Sequence, residues 1–266
     1  MKSKIQHQKS NIKRVGVFDS GVGGLTVVKS LLEHQLFEEI IYFGDTARVP
    51  YGVKDKNTIV RYSLEALEFF KNFEIDLLIT ACNTVSAYAL EEMRAQAPFD
   101  IIGVVEPGII ATKNALKESD ASVLVLGTNA TINSKAYETL LSAHGFHNTT
   151  SKATGLFVPI IEEGLFEGEI LKSTMDHYFK ALSCPDGIIL GCTHFPLIAE
   201  AISEYFDNNT TLIHSGEAIV EYLESHYEFR HKYPHPELKF FASENPDALR
   251  KTAHKWLELP EDQNDF

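Results

Sequence analysis

The sequence is poor in cysteine, and the few cysteines are not arranged for cross-links or for zinc. Its 266 residues include only three, Cys82, Cys184 and Cys192. Three is an odd number and too few for a disulfide scaffold. The sequence has no Cys-x-x-Cys pair, which argues against a structural zinc site. We therefore expect free thiols, no metal site and a reducing, cytoplasmic location.

Long apolar runs are also missing. The longest are the length of a strand, so we expect no transmembrane helix and no membrane partner. Residues 1–12 are polar and basic without an apolar centre, unlike a signal peptide. We expect these residues to form a flexible basic tail.

Basic residues are outnumbered by acidic ones. The chain has 24 Lys and Arg against 37 Asp and Glu, a formal net charge of −13. This balance argues against direct nucleic-acid binding, which depends on Lys and Arg contacts to phosphate. It is compatible with a small anionic substrate, because backbone N–H groups and helix N-termini can make a cleft locally positive. With 44% hydrophobic residues, the length predicts one to two domains with a large core.

Apolar strand-sized runs alternate with helical patterns, and the alternation restarts near Ala121. This pattern predicts an α/β fold with two similar units, each a mainly parallel sheet flanked by helices. The expected strands are 15–18, 39–43, one ending at 80, 100–105, 121–126, 187–190, 211–213 and an edge strand at 238–242. The expected helices are 25–36, 57–72, 84–96, 108–117, 132–143, 168–182, 196–206, 216–228 and 246–258. We expect residues 156–161 to be extended or a loop.

Two cysteines occupy matching places in the two units. Cys82 follows the strand that ends at Thr80, and Cys192 follows the strand that ends at Leu190. Cys82 lies 63 residues after Asp19, and Cys192 lies 64 residues after Thr128. Ligands of parallel sheets bind at the carboxyl ends of strands. We expect both thiols to be exposed there, close to a helix N-terminus that favours the thiolate.

Two thiols that face each other across a cleft suit proton exchange at a carbon next to a carboxylate. One thiolate removes the proton from one face while one thiol donates a proton to the other. Asp19 and His194 are candidates to assist them. Each of these residues also has a simpler interpretation. The cysteines could be buried structural residues, Asp19 could cap a turn of its loop, and His194 could form only local hydrogen bonds. Cys184 is interpreted as structural.

Two loops are candidates to hold a ligand. Residues 19–24 are rich in glycine but lack the Gly-x-Gly-x-x-Gly spacing and the Walker lysine, so nucleotide binding is weakly supported. Their N–H groups could instead hold a carboxylate. Residues 44–52 form a long connection rich in special residues, and loops of this kind often carry function.

At this point the sequence resembles the glutamate racemase family, within the cofactor-independent aspartate/glutamate racemase superfamily. The resemblance covers about residues 14–257, nearly the whole chain. It depends on five segments, which are residues 16–27, 44–52, 81–87, 103–108 and 190–197.

The resemblance implies reversible conversion of L- to D-glutamate without pyridoxal phosphate or any other cofactor, and without metal. In bacteria D-glutamate is a building block of peptidoglycan, the cell wall polymer that maintains cell shape. The resemblance assigns proton exchange on the D side to Cys82, assisted by Asp19. It assigns the L side to Cys192, assisted by His194 and Glu162. The implied substrate-binding residues are Asp19, Ser20, Tyr51, Gly52, Asn83, Thr84, Thr128, Thr131, Thr193 and His194.

The resemblance also implies two α/β domains with the active site in the cleft between them. We expect residues 13–107 and 214–266 to form the first domain, which is discontinuous, and residues 108–213 to form the second. We expect the protein to be a homodimer. Two other functions stay open: a related racemase that acts on aspartate, and a racemase-like protein whose main role is binding a partner such as a topoisomerase.

Overall fold

The structure is a computed structural model that describes residues 12–118 and 120–259. The tail expected at residues 1–12 lies outside the described residues except for Ile12. That side chain is buried, with 3% of its surface exposed, and belongs to the core of the first sheet. The expectation of a flexible tail is therefore wrong for Ile12.

Nine strands and twelve α-helices alternate along the described ranges. The strands are Arg14–Asp19 (β1), Glu39–Gly44 (β2), Leu77–Thr80 (β3), Asp100–Gly103 (β4), Val123–Gly127 (β5), Thr149–Ala153 (β6), Gly187–Gly191 (β7), Thr211–Ile213 (β8) and Glu237–Ala242 (β9). The helices are Leu25–Glu33 (α1), Lys56–Phe70 (α2), Asn83–Tyr88 (α3), Leu90–Arg94 (α4), Val105–Ala115 (α5), Asn129–Asn133 (α6), Ala136–Ala143 (α7), Phe157–Glu162 (α8), Glu169–Phe179 (α9), Ala199–Tyr205 (α10), Ser215–His226 (α11) and Pro246–Leu257 (α12).

The strands form two sheets, and every described strand pair is parallel. The first sheet has the order β4-β3-β1-β2-β9, and the second has the order β6-β5-β7-β8. The expected α/β fold with two parallel-sheet units is confirmed. The expected edge strand is confirmed as β9, which pairs with β2. The exact domain limits stay a prediction.

Apolar cores cover both faces of each sheet, as in other parallel sheets. On β1, Val15 and Val17 face the core shared with α1, α11 and α12, whereas Phe18 faces the core shared with α2 and α3. On β5, Leu124 and Val125 divide in the same way between the two cores of the second sheet. None of the helices in the described ranges is long and apolar enough to cross a membrane.

The ends of two helices follow the capping rules. The Asp55 carboxylate accepts the Thr58 N–H at 3.1 Å and starts α2. The Asn245 side chain accepts the Ala248 N–H at 3.3 Å, and Pro246 takes the first helical position of α12. Asn245 is therefore the N-cap of α12.

The structure differs from the expected elements in several places. Residues 149–153, which we expected in no element, form β6, and residues 157–162 form the helix α8 rather than an extended segment. The helix expected over 84–96 is divided at Ala89 into α3 and α4. The helix expected over 132–143 is divided at Lys135, whose φ of 58° is left-handed, into α6 and α7. The loop 44–55 contains two short 3-10 helices, Thr46–Arg48 and Tyr51–Val53.

The matched spacing of the two units has a counterpart in the sheets. β1, which ends in Asp19, pairs with β3, which precedes Cys82. β5, which precedes Thr128, pairs with β7, which precedes Cys192. In each sheet two neighbouring strands therefore deliver their polar residues to the same carboxyl edge.

Candidate active site

Cys82 lies between β3 and α3, and its side chain is buried rather than exposed. The residue is 6% exposed, and its thiol donates to the Ser20 hydroxyl at an Sγ–Oγ distance of 3.5 Å. Burial raises the pKa of the Cys82 thiol to about 12, and the negative charge of Asp19 adds to this effect. The expected exposed thiol with a favoured thiolate is therefore wrong for Cys82. In the ligand-free protein at neutral pH, Cys82 is a protonated thiol.

Cys192 lies directly after β7 and is also buried, with 7% of its surface exposed. The expectation of an exposed thiol is wrong here too. Its Sγ lies 3.8 Å from Nδ1 of His194, and Nε2 of the same ring lies 3.1 Å from the Glu162 carboxylate. His194 thus lies between the Cys192 sulfur and the Glu162 carboxylate. The Glu162 side chain is partly exposed to solvent. The predicted association of Cys192 with His194 and Glu162 is present in this geometry.

The His194 ring carries a positive charge in this arrangement. Burial alone lowers the pKa of a histidine, because a charged ring loses its hydration. Hydrogen bonds with Cys192 and Glu162, together with the Asp19 charge, outweigh burial and raise the pKa of His194 to about 10. A positive charge therefore stands beside the Cys192 sulfur at neutral pH.

Asp19 is fully buried at the end of β1, and its hydrogen bonds go to residues other than Cys82. One carboxylate oxygen accepts the Gly21 N–H at 3.0 Å, and the other accepts the Thr193 hydroxyl at 3.3 Å. Burial raises the pKa of the Asp19 carboxyl, and the His194 charge opposes that rise. The effect of Asp19 on the Cys82 thiol is therefore electrostatic, since the Asp19 carboxylate is hydrogen-bonded to Gly21 and Thr193.

Both cysteines line one pocket between the carboxyl edges of the two sheets. The pocket encloses about 390 Å³ of space that no atom occupies. Eleven of the residues predicted from the sequence line it: Ser20, Tyr51, Gly52, Cys82, Asn83, Thr84, Thr128, Glu162, Cys192, Thr193 and His194. Asp19 and Thr131 were also predicted but lie behind the lining.

Three threonine hydroxyls join the two halves of the chain beside the pocket. Thr84 follows Cys82 in α3, whereas Thr128 and Thr131 cap and begin α6. The Thr84 Oγ1 lies 3.0 Å from that of Thr128 and 2.9 Å from that of Thr131. Thr131 therefore supports the two threonines that line the pocket.

Tyr51 lines the pocket, but its hydroxyl is engaged elsewhere. The hydroxyl donates to the carboxylate of Asp45, which is fully buried. Arg48 binds the same carboxylate oxygen through Nε at 2.6 Å and also pairs with Glu65. The Tyr51 hydroxyl is therefore engaged with Asp45 in the ligand-free protein, and its role in holding a substrate stays a prediction.

Four residues that line the pocket were missed by the sequence reasoning, namely Val49, Pro50, Val158 and Gly191. Val49 and Pro50 belong to the loop 44–52, which the sequence indicated as a candidate to hold a ligand. That loop could therefore have pointed to these two residues. Gly191 belongs to the segment 190–197, on which the resemblance depends. Val158 gave no signal, because it lies in α8, where we expected no helix.

The arrangement suits acid and base catalysis at a carbon atom. Two thiols from two sheets share a pocket lined by hydroxyls, a carboxamide and a histidine with positive charge. Cys82 and Cys192 line the same pocket, so both thiols border the space in which a small molecule would bind. A pair of this kind can act as the base and the acid of one proton exchange.

Comparison with known proteins places the chain in a family. The model of the Asp/Glu/Hydantoin racemase family matches residues 25–223, and the chain belongs to this family. The glutamate racemase of a Nitratiruptor species is 63% identical over 244 residues, which cover 92% of this chain and 96% of that relative.

Solved structures agree with this placement. The crystal structure of glutamate racemase from Campylobacter jejuni subsp. jejuni has a TM-score of 0.90 at 53% identity and covers 92% of this chain and 98% of that chain. The glutamate racemase from Francisella tularensis subsp. tularensis was solved in complex with D-glutamate. It has a TM-score of 0.81 at 34% identity and covers 94% of this chain and 95% of that chain.

Proposed function

We propose that this protein is a glutamate racemase that interconverts L- and D-glutamate without a cofactor. The single observation that carries the proposal is the pair of buried thiols, Cys82 and Cys192, delivered by two different sheets to one pocket. Identity of 63% to a glutamate racemase over most of the chain supports glutamate as the substrate. The complex of a related enzyme with D-glutamate supports the same choice.

Glutamate brings two carboxylates and one ammonium group, and the pocket offers groups for each. The hydroxyls of Ser20, Thr84, Thr128 and Thr193 and the carboxamide of Asn83 surround it. Hydroxyl and amide donors can bind a carboxylate without adding charge. Asp19 would attract the ammonium group through its charge.

The protonation states of the ligand-free site favour one direction of transfer. Cys192, beside the positively charged His194, would remove the α-proton of L-glutamate as its thiolate. Negative charge on that sulfur is stabilised by the neighbouring imidazolium. Cys82, held as a thiol by burial and by Asp19, would donate its proton to the opposite face of the carbanion. One proton leaves and one arrives, so the product is D-glutamate with the two sulfurs in exchanged protonation states.

The reverse reaction uses the same groups with their roles exchanged. Cys82 would then remove the α-proton of D-glutamate, and Cys192 would return a proton on the L side. Glu162 would hold His194 in place through the hydrogen bond at 3.1 Å. Neither step draws on a metal or an organic cofactor.

The cellular role and assembly belong to the same proposal. D-glutamate made by this enzyme would supply peptidoglycan synthesis in the cytoplasm, and the protein would act as a homodimer. The domain limits at 107/108 and 213/214 complete the proposal. Sedimentation of the purified protein tests the dimer, and D-glutamate auxotrophy after deletion of the coding sequence tests the cell wall role.

Activity on purified amino acids tests the reaction itself. The purified protein without added cofactor should convert each enantiomer of glutamate to the other in a chiral assay. Turnover of aspartate in place of glutamate would change the substrate. No turnover of either amino acid, despite intact Cys82 and Cys192, would instead support a protein that binds a partner.

A further inference from the structure

Asn83 presents a buried amide donor that binds no group within the described ranges. It begins α3 directly after Cys82, lines the pocket and is only 2% exposed. Its Oδ1 accepts a hydrogen bond at 2.6 Å, whereas its Nδ2 has no hydrogen-bond partner among the described residues. A buried donor left without a partner costs free energy. This orientation of the Asn83 amide therefore needs another interaction that stabilises it.

The group that fixes it is the hydroxyl of Tyr137, which comes from the other half of the chain. Tyr137 lies in α7, is 2% exposed and donates to Oδ1 of Asn83. Burial raises the pKa of this hydroxyl, so it keeps its proton and stays a donor.

The Tyr137 ring also lies against the turn that carries Cys192. A Cβ atom added at Gly191 would lie 3.3 Å from Cε2 of Tyr137, so the glycine lets the ring come close. Tyr137 therefore contacts Asn83, the neighbour of Cys82, and Gly191, the neighbour of Cys192. One side chain connects the two cysteine turns from beneath the pocket.

We propose that Tyr137 is a positioning residue that orients the Asn83 carboxamide so that its Nδ2 donates to a carboxylate oxygen of the bound amino acid. This inference rests on the proposed function. With the amide reversed, the Tyr137 proton would lose its acceptor, and the amide oxygen would face the substrate carboxylate. Both changes are unfavourable, so the hydroxyl selects one of the two amide orientations.

The first test removes only the hydroxyl. Tyr137→Phe should raise KM for both enantiomers by roughly 3- to 10-fold, the effect of one hydrogen bond, with kcat changed by less than about 2-fold. Tyr178→Phe is the matched control, because its hydroxyl accepts the Leu156 N–H at 3.2 Å outside the pocket. That variant should keep the wild-type KM.

A double-mutant cycle separates positioning from packing. If Tyr137 acts through the amide, Tyr137→Phe should add less than about 2-fold to KM once Asn83→Ala has removed that amide. A residue that only fills space would show its full effect in both backgrounds. An additive result, or an unchanged KM in Tyr137→Phe alone, overturns the inference.

A second pair of variants tests the orientation with Tyr137 intact. In Asn83→Asp, Tyr137 donates to one carboxylate oxygen and the other faces the pocket, where it repels the substrate carboxylate. Asn83→Asp should therefore raise KM at least about 10-fold more than Asn83→Ala, a difference of about 1.4 kcal/mol. An Asn83→Asp KM equal to or below that of Asn83→Ala would mean that the oxygen faces the pocket, which overturns the inference.

The wild-type assay distinguishes this inference from the proposed function. If the wild-type protein does not racemise glutamate, the proposed function fails and the inference fails with it. If the wild type racemises glutamate and the variants behave as in the contradicting outcomes, only the inference fails.

Discussion

At the scale of single residues, the two pocket cysteines differ in the charges around them. Cys82 neighbours the negative Asp19, and burial raises the pKa of its thiol to about 12. Cys192 neighbours His194, whose pKa of about 10 keeps the ring positive at neutral pH. The two sulfurs therefore lie in different electrostatic surroundings before substrate binds, with negative charge beside Cys82 and positive charge beside Cys192.

Replacing either pocket thiol should stop racemisation. Cys82→Ser and Cys192→Ser each remove one of the two proton carriers, so kcat should fall by roughly 100-fold or more. A chiral assay of glutamate measures this, with circular dichroism to check the fold. Cys184→Ser is the control, since Cys184 is exposed and should leave activity unchanged. Full activity in either pocket variant would contradict the two-thiol account.

The raised pKa of His194 should appear in the pH dependence of stability. The folded value of about 10 lies above the ordinary value of 6.5, so protonation of His194 stabilises the fold fully below pH 6.5. That contribution is lost as pH rises from 6.5 through 10. The difference in unfolding free energy between wild type and His194→Asn should therefore shrink over this range in urea titrations without substrate.

His214 provides the control for that experiment. Burial lowers the pKa of His214 below its ordinary value of 6.5, so above about pH 7.5 this ring is neutral in both the folded and the unfolded protein. The difference in unfolding free energy between wild type and His214→Asn should therefore stay constant from about pH 7.5 to 10. A constant difference for His194→Asn as well would mean that His194 is not held in its charged form.

The two pocket cysteines could be predicted from the sequence, whereas the charges and burial that set their pKa environment could not. Cys82 and Cys192 were found because each follows an apolar strand and precedes a helix, which is a local pattern. Their burial was not found, because it depends on packing between halves of the chain. The contact between Tyr137 and Asn83 spans 54 residues and left no local signal.

At the scale of elements, the 3-10 helix Tyr51–Val53 reaches across to the start of α6. Gly52 allows this approach, because a Cβ atom there would lie 2.6 Å from Cγ2 and 2.7 Å from Oγ1 of Thr128. Thr128 caps α6 by accepting the Thr131 N–H at 3.3 Å. The loop and the helix cap thus form one contact between the two halves at the pocket.

Separating these elements should reduce activity more than stability. Gly52→Ala must push the loop away from Thr128, and a displacement of about 1 Å near the reacting groups can cost up to 100-fold in rate. We expect kcat/KM to fall at least about 10-fold. Gly155→Ala is the control, since no atom lies within 4 Å of its added Cβ and its φ is not positive. Equal activity of the two variants would contradict the contact.

Two elements escaped prediction for physical reasons. β6 has the sequence Thr-Thr-Ser-Lys-Ala, is only half-buried and pairs with β5 alone at the sheet edge. A polar edge strand shows no apolar run and no clear alternation. α8 contains Pro159 as its third residue, and proline is tolerated in the first turn of a helix. The helix is too short for a periodic pattern to outweigh that proline.

At the scale of the whole molecule, the end of the chain completes the first sheet. β9 pairs with β2, and Leu249 of α12 lies in the same core as Val28 of α1. The first sheet is thus built from segments far apart in sequence, whereas the discontinuous domain itself stays a prediction. This return of the chain places α11 against both α1 and α5, between the two units.

Substitutions in α1 and in α12 should affect the same unfolding transition. Leu249→Ala and Val28→Ala each remove buried methyl groups from one core, with an expected loss of about 1–4 kcal/mol. Urea unfolding should show both variants shifting the same transition. Lys251→Ala, at an exposed position of α12, should change stability by less than about 0.5 kcal/mol. Shifts in two separate transitions would place α12 outside the first domain.

Proton NMR of glutamate in deuterated water shows whether the protein exchanges the α-proton of its substrate. The purified protein, with no cofactor added, is mixed with L-glutamate or D-glutamate, and the α-proton signal is followed beside a chiral assay. We expect loss of the α-proton signal from both enantiomers and appearance of the opposite enantiomer. Retention of the α-proton in both enantiomers would contradict the account, since no thiol would then exchange a proton with glutamate.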